Sequence, residues 1–450
     1  MKTDVKDLTE GSLWSGILLF SLPLILSNLL QILFTMSDIA VVGRFAGPQA
    51  LGSVGSTTTL VTLFTGFLIG MGSGINAVTA RYFGRHSDGQ TSLVVQTSFL
   101  LSLLLGTAVL LIGETTAGPV LRLLNTKEEL MDGALLYLRI YFLGMPALSV
   151  YNFGNAVFSA AGDTRRPLAY LSIAGVLNVI LNLFFVIVCR LDVAGVALAS
   201  ILSQCLSAVC ITLAMVRADG PHALPIRSLH FDRVKAWQVL SIALPAGVQN
   251  AIFQVANLFV QYGVNTFSAT VVAGNAAAQN ADALVYDTMA AFYTACGSFM
   301  GQSFGAGKIK RMKKACRVSL FYSFAAGLLL GCTILLFGKP FLSLFTTDAE
   351  VAAAGMYRLR VMSISYGFSA FMDNTIAASR ALGRGTVPTI IVILGSCIFR
   401  IIWIFTVFAR FRTIVSLYLL YIVSWSITAA AEIVYYRWVL AQTEKSMARA

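Results

Sequence analysis

Long apolar runs follow one another along the 450-residue chain, separated by short stretches rich in glycine, proline and charge. A helix needs about 20 apolar residues to cross the hydrocarbon core of a bilayer. The pattern therefore predicts twelve membrane-spanning helices. The predicted spans are 14–43, 50–80, 92–113, 133–160, 168–188, 193–216, 238–265, 274–301, 317–337, 351–380, 388–409 and 413–438.

The composition supports a membrane environment for most of the chain. Hydrophobic residues make up 57% of it and charged residues only 12%, whereas soluble domains carry about 25% charged residues. The predicted fold class is an all-α integral membrane protein. The three histidines do not cluster with cysteine or glutamate in the sequence, and there is no CxxC motif. These patterns do not indicate an enzyme, a resident metal or a cofactor.

The positive charges predict the orientation. Most of the 32 lysines and arginines fall in alternate loops, most densely in the segment "GKIKRMKKACR" at 307–317. By the positive-inside rule these loops and both termini are predicted to be cytoplasmic, in a multi-pass protein of the cell membrane. Topology and anionic lipid then account for the net charge of +12. We therefore expect membrane lipids, and no nucleic acid, as partners.

The chain repeats itself at a nearly constant distance. "LPLILSNLLQ" resembles "LPAGVQNAIFQ", which places Pro23 and Pro245 222 residues apart, and two further landmark pairs are 221 residues apart. The predicted domains are an N-lobe at 1–216, a cytoplasmic linker at 217–236 and a C-lobe at 237–450. Six spans per lobe give both lobes the same orientation, related by a pseudo-twofold axis along the membrane normal, as in alternating-access transporters.

These landmarks also carry a family resemblance. Each half has "LP" early in its first span and "FG" after its second, Asp38 lies late in the first span, and "GD-T" follows the fourth. This ordered set resembles the multidrug and toxic compound extrusion (MATE) family over essentially the whole chain. The resemblance implies antiport, in which small lipophilic organic cations leave the cell while protons or sodium ions enter.

Polar residues in the first predicted span form a stripe. Asn28, Gln31, Thr35 and Asp38 fall within an arc of about 80° on a helix, so they should face protein or water rather than lipid. An ionised aspartate near mid-span costs about 2.5–3.5 kcal/mol on insertion scales. Asp38 is therefore predicted to titrate. The alternative is a neutral buried acid that donates one hydrogen bond.

The resemblance assigns Asp38 to ion coupling, together with polar residues of the fifth span. Asn178 and Asn182 occupy the matching positions. Similar proteins often carry a second aspartate where this chain has Asn182, so a pair of carboxyl groups cannot form here. Whether the coupling ion is H⁺ or Na⁺ stays open.

The C-lobe offers its own charged residues within spans. Asp282, Asp287 and Asp373 are candidate acids, and Arg400 lies deep in the eleventh span. A buried arginine needs a carboxylate or carbonyl partner, so Arg400 is predicted to be structural and paired with Asp287 or Asp373. Glu432 lies near the inner end of the last span and is expected to extend its carboxylate towards the membrane surface.

Other residues are candidates for the wall of a drug cavity, because amides, aromatic rings and methionines suit flat organic cations. Ordinary helix packing is the alternative for each of them. The cavity candidates are Asn28, Gln31, Thr35, Met36, Gln254, Asn257, Met289 and Tyr293, and the structural candidates are Pro23, Pro245 and Arg400.

A second class of function fits the same pattern of spans. A flippase of lipid-linked oligosaccharides or polysaccharides, with a related lobed fold, would need a basic cavity for its pyrophosphate group. Arg400 is the feature in favour of this alternative. We expect the protein to be a monomer.

Overall fold

The computed structural model describes residues 6–449, which are almost entirely helical. Its α-helices are α1 (Leu13–Val41), α2 (Gly47–Gly84), α3 (Asp88–Leu123), α4 (Glu128–Leu143), α5 (Met145–Ala160), α6 (Arg165–Leu183), α7 (Asp192–Val216), α8 (Arg233–Val264), α9 (Ala269–Gly305), α10 (Ile309–Leu336), α11 (Gly338–Ser343), α12 (Ala349–Ala381), α13 (Thr386–Val392), α14 (Phe399–Trp403), α15 (Ala409–Phe411) and α16 (Ile414–Arg449). Segments of π-helix occupy Val42–Ala46, Phe184–Val188, Ile393–Ile398 and Ile404–Phe408, and Ile226–Ser228 is a short 3₁₀ helix.

Every predicted span is helical, but two of the predicted boundaries between elements differ. The first two spans form one 72-residue helical stretch, Leu13–Gly84, in which a π-helical segment replaces the expected loop. The fourth span is two helices, α4 and α5, bent by 46°. Pro146 lies at the start of α5. Since proline lacks the N–H that a helix interior requires, it favours a break there.

Most of the helices are long and apolar enough to cross a membrane, whereas α9 and α12 do not meet that standard. These two are the more polar helices of the second half: α9 includes Asn275 and Asp282, and α12 includes Arg358 and Asp373. They pack against each other and both pack against α10. Their polar side chains can therefore meet partners inside the protein rather than lipid, as the bilayer requires.

The described residues form two compact units that exchange segments relative to chain order. The first unit contains residues 6–7 and Leu26–Gly247, and the second contains Leu8–Ile25 and residues 248–449. The first half of α1 thus belongs to the second unit, and the first half of α8 belongs to the first. The predicted domain boundaries concern the repeats along the chain rather than these packing units, and they stay a prediction.

Within the first unit, small residues bring α2 and α8 into close contact. A Cβ atom on Gly70 would lie 2.5 Å from the carbonyl oxygen of Ala246, and one on Gly247 would lie 2.8 Å from that of Phe67. Gly74 likewise meets the backbone of Ala243. Small residues let two helices approach closely where hydrophobic driving force is weak, so this crossing fixes the first half of α8 against α2.

Within the second unit, the segment that precedes α1 is held by the end of α9 and the start of α10. The Nε atom of Arg311 donates to the carbonyl of Leu8 at 3.0 Å, and its Nη1 atom donates to that of Gly11 at 2.8 Å. Lys308 Nζ donates to Thr9 Oγ1 at 2.9 Å, and Gln302 accepts from the Leu8 amide at 2.9 Å. Part of the positive charge between α9 and α10 therefore binds the chain's own backbone.

Candidate ion-binding sites

In the first unit, Asp38 lies one turn before the end of α1 and is bonded only to neutral groups. Asn182 on α6 donates its Nδ2 hydrogen to Oδ1 of Asp38, and Ser200 on α7 donates to Oδ2 at 3.3 Å. Within residues 6–449, no lysine, arginine or histidine side chain lies within 4.0 Å of this carboxylate. The structure thus brings together Asp38 and the Asn182 amide that the sequence analysis associated with it.

The two asparagines of α6 act as a pair behind Asp38. Asn182 is fully buried and Asn178 is 6% exposed, and the Nδ2 of Asn182 also donates to Oδ1 of Asn178 at 3.2 Å. The Oδ1 atom of Asn182 has no hydrogen-bond partner among the residues described. In this orientation the Asn182 amide presents a hydrogen-bond donor to an ionised Asp38. Rotation of that amide by 180° would present the acceptor, which is what a protonated Asp38 requires.

Irregular helix geometry surrounds this carboxylate. The π-helical segment Val42–Ala46 begins four residues after Asp38, and Phe184–Val188 begins two residues after Asn182. The two segments contact each other. Single-turn π segments occur frequently at functional sites because they shift side chains relative to a regular helix. Sequence reasoning missed them, since no residue pattern in these segments distinguishes π from α geometry.

The remaining stripe residues of α1 point away from the packed interior. Gln31, Thr35 and Met36 are exposed and Asn28 is partly buried. Thr35 satisfies its hydroxyl by donating to the Gln31 carbonyl at 3.0 Å. Their assignment to a cavity wall stays a prediction, as does the structural role of Pro23, which lies inside α1.

In the second unit, Asp282 on α9 is committed to an arginine. Arg358 on α12 is 4% exposed, and its Nε and Nη2 atoms lie 2.7 and 2.6 Å from Oδ2 of Asp282. Tyr366 donates to Oδ1 at 2.6 Å. Asn275 accepts from Arg358 Nη1 at 2.9 Å and from Tyr418 at 2.9 Å. This buried network assigns Asp282 a fixed partner that the sequence analysis did not identify, although opposite charges within two spans were a usable signal.

The predicted ion pair of Arg400 with Asp287 or Asp373 is wrong. Arg400 is fully buried, but its Nη1 donates to Asn257 at 3.0 Å and its Nε donates to Ser424 at 3.4 Å. The guanidinium lies 4.7 Å from the ring centroids of Phe253 and Tyr421 and 5.5 Å from that of Trp425. The Asn257 amide, the Ser424 hydroxyl and three aromatic ring faces thus offset the free-energy cost of burying the Arg400 charge. The sequence analysis expected a carboxylate in that role.

Asp373 belongs to a different group of side chains. It is 9% exposed and accepts a hydrogen bond from Ser369 at 2.8 Å, one turn earlier on α12. Tyr286 on α9 and Arg380 on α12 lie near enough to interact with the Asp373 carboxylate. Asp287 is partly exposed on α9 and lies close enough to influence Tyr286.

The expectation that Glu432 extends towards the membrane surface is also wrong. Its side chain is fully buried, and neither carboxylate oxygen has a hydrogen-bond partner in the described part of the chain. The helices α12 and α16 pack along each other and cover it. Its position in the sequence gave no sign of this, because burial depends on which face of α16 meets α12.

The other predicted cavity residues have mixed surroundings. Met289 is 1% exposed, and its sulfur would lie 2.8 Å from a Cβ atom on Gly327. It packs between α9 and α10 in this structure, and its assignment to a cavity wall stays a prediction. Gln254, Asn257 and Tyr293 are partly buried, and Pro245 lies inside α8. Their predicted roles stay predictions.

Comparison with known proteins agrees with the repeat. The MatE family model matches residues 23–184 and again 245–406, so both halves match the same model with a shift of 222 residues. A probable multidrug resistance protein of Bacillus subtilis, YpnP, is 29% identical over 371 residues, which cover 80% of this chain and 81% of that protein. An FAD transporter of Shewanella oneidensis is 25% identical over 354 residues, 77% of each chain.

A solved structure shows the same fold over nearly the whole chain. The crystal structure of a MATE protein in complex with MaL6 superposes with a TM-score of 0.91 at 20% identity, covering 99% of this chain and 100% of that one. This confirms the predicted all-α, multi-span membrane fold with twelve spans in two lobes. Because the family model covers more than half of the residues in two successive copies, the chain belongs to the MatE family of MATE transporters, which are not enzymes.

Proposed function

We propose that this protein is a secondary active exporter that exchanges lipophilic organic cations for protons or sodium ions by alternating access. In this proposal it lies in the cell membrane as a monomer with both termini in the cytoplasm. The observation that carries the proposal is Asp38, a carboxylate within a membrane helix that is bonded to Asn182 and Ser200 rather than to a fixed positive charge.

The chemistry follows from those neutral partners. A carboxylate bonded to a permanent cation gains little by binding a proton, whereas one bonded to an amide and a hydroxyl is open to a proton, a sodium ion or an organic cation. Intramembrane acids of this kind commonly mark ion pathways. If a proton and a cationic drug compete for the same negative charge, binding of one releases the other, which is the simplest form of exchange.

The similarity to a probable multidrug resistance protein supports drug export, and the negative charge of Asp38 favours cationic drugs. Arg81 lies in the last turn of α2 and Arg85 directly follows that helix, and six basic residues lie between 308 and 317 around the start of α10. These charges support a cytoplasmic location for the two helix ends. Asn178 and Asn182 would orient the Asp38 carboxylate, and the adjoining π-helical segments would let the end of α1 shift when its charge changes.

Transport by everted membrane vesicles tests the proposal, with ethidium as the lipophilic cation and with proton and sodium gradients imposed separately. We expect one of the two gradients to drive ethidium accumulation in the vesicles. Asp38→Asn keeps the shape of the side chain and should abolish accumulation without loss of folded protein, and Asp38→Glu should retain part of it. Accumulation by Asp38→Asn at the normal rate would contradict the assignment.

One observation favours the flippase alternative. Arg400 is a buried cation with no carboxylate within 4.0 Å in the described part of the chain, so the second unit holds positive charge that an anionic substrate could use. The FAD transporter relative also handles an anionic molecule. Expression in a drug-sensitive bacterium separates the two functions: protection against lipophilic cations supports the exporter, and rescue of a strain lacking its cell-wall lipid flippase supports the alternative.

A further inference from the structure

Glu432 is a buried carboxyl group that the proposed coupling through Asp38 does not use. It lies on α16 with no exposed surface, and neither Oε1 nor Oε2 accepts a hydrogen bond within residues 6–449. An ionised carboxylate removed from water without hydrogen bonds costs several kcal/mol. The geometry therefore fits the protonated form of this side chain.

The surrounding charges lead to the same state. From α12, the charged groups of Arg380 and Asp373 lie near Glu432, and Arg380 also lies near Asp373. One guanidinium thus serves two buried acids. Asp373 also accepts a hydrogen bond from Ser369 at 2.8 Å, which stabilises its ionised form. Glu432 receives no such hydrogen bond, so it is the acid of the two whose negative charge lacks a donor.

Other ionisable groups around Glu432 do not change this balance. On α16 itself Tyr435 lies near it. Besides α12, α16 packs against α13 and the π-helical segment Ile404–Phe408, neither of which has an ionisable residue. It also packs against the π-helical segment Ile393–Ile398, which carries Cys397, and against α14, which carries Arg400. Arg400 contacts α16 at Ser424, two turns away from Glu432.

Arg380 lies near enough to neutralise the negative charge that Glu432 gains when its proton leaves. Its Nη2 donates to Gln249 Oε1 at 2.9 Å, and Thr389 donates to the same oxygen at 3.4 Å. Arg380 and Glu432 do not form an ion pair within 4.0 Å in this structure. A closer approach of α12 and α16 would pair them. The protonated state leaves the two side chains apart, and the ionised state draws them together.

We propose that Glu432 is a second proton-binding site of this protein, separate from Asp38, and that Arg380 is the counter-charge that holds its ionised form. The ligand is a proton, which binds a carboxylate oxygen of Glu432 and returns to water when it is released. The site goes beyond the proposed export function, because it depends on neither the drug nor the coupling ion.

The test uses the purified full-length protein in lipid nanodiscs, without drug or ion gradient. After a step from acidic to alkaline pH, a pH dye counts the protons released per chain, and infrared difference spectroscopy follows the C=O stretch of protonated carboxylic acids. We expect Glu432→Gln to fold, to release one proton fewer than the natural sequence, and to lose one acid C=O band that disappears at high pH.

Glu444→Gln is the matched control on the same helix. Glu444 is partly exposed and pairs with Lys313, so its replacement removes the same charge from α16 without removing a buried acid and should leave the acid band of Glu432 in place. Loss of the same acid band in Glu444→Gln and in Glu432→Gln would show a general effect of removing charge from α16, and would overturn the assignment to Glu432.

Two other outcomes would overturn the proposal. If Glu432→Gln folds and releases the normal number of protons with the acid band unchanged, Glu432 does not exchange a proton. If Glu432→Gln fails to fold and the double variant with Arg380→Gln recovers, Glu432 is a permanently ionised partner of Arg380. Because neither measurement involves transport, a failure here is distinct from a failure of the export proposal.

Discussion

The carboxylates of the two units differ in what they are bonded to. Asp38 in the first unit receives hydrogen bonds from the Asn182 amide and the Ser200 hydroxyl. Asp282 in the second unit is bonded to the Arg358 guanidinium at 2.6–2.7 Å and to the Tyr366 hydroxyl. Both lie within long helices, Asp38 in α1 and Asp282 in α9, yet only Asp282 has a permanent positive charge against it.

This difference separates a structural acid from one that can change its charge. Removing the negative charge of Asp282 would leave a buried arginine uncompensated, which is costly. Removing the negative charge of Asp38 would leave no buried cation without its partner. The partner of a membrane carboxylate, rather than its depth in the membrane, therefore indicates whether it is free to bind ions.

The largest effect on stability is expected at the Asp282–Arg358 pair. Asp282→Asn should lower the free energy of unfolding by about 3–5 kcal/mol, because it removes one partner of a buried ion pair. Fluorescence-detected gel filtration and the thermal midpoint in detergent measure the loss. Asp38→Asn is the matched control and should remain folded. Equal stability of the two variants would contradict the distinction between a structural Asp282 and an Asp38 that can change its charge.

A smaller effect is expected when the amide that binds Asp38 is removed. Hydrogen bonds to charged groups are worth about 1.5–3 kcal/mol, so Asn182→Ala should lower stability by that order and slow ethidium export. Asn178→Ala is the control, since Asn178 contacts Asn182 rather than Asp38, and its effect should be weaker. Thermal midpoints and vesicle transport of both variants would show it. A larger loss from Asn178→Ala would contradict the arrangement.

The smallest effect is expected at Arg400, although its side chain is fully buried. Arg400→Met keeps the side-chain length and orphans no carboxylate, and it removes the desolvation cost of an unpaired cation. We expect the free energy of unfolding to change by less than about 1.5 kcal/mol. Arg358→Met, measured in the same way, should cost more because it strands Asp282. A stability loss at Arg400 equal to that at Arg358 would show an acidic partner.

The sequence predicts the helical spans well because their signal is local. Apolar length, alternating loop charge and the internal repeat do not depend on packing, and they located every span, including the stretch that Pro146 divides into α4 and α5. The grouping of Asp38 with Asn182 was also predicted, through the family resemblance and the polar stripe.

Side-chain partners in the second unit could not be predicted in the same way. Arg400 was expected to bind an acid because a buried cation usually does, but aromatic faces such as that of Tyr421 replace it. Which acid meets which arginine depends on the rotation of α9, α12 and α16 about their own axes. No periodicity in a single sequence fixes that rotation, so Arg358–Asp282 and the burial of Glu432 became visible only in the structure.

The exchanged half-helices bear on how such a chain could arise. The first half of α1 packs within the second unit, and the first half of α8 packs within the first, while the same family model matches both halves of the chain. A protein made of one repeat would have lacked the second unit against which its first half-helix packs. Two copies could complete each other by swapping that segment. Fusion of the copies through the connection between α7 and α8 would make the swap intramolecular, so that assembly no longer depended on protein concentration.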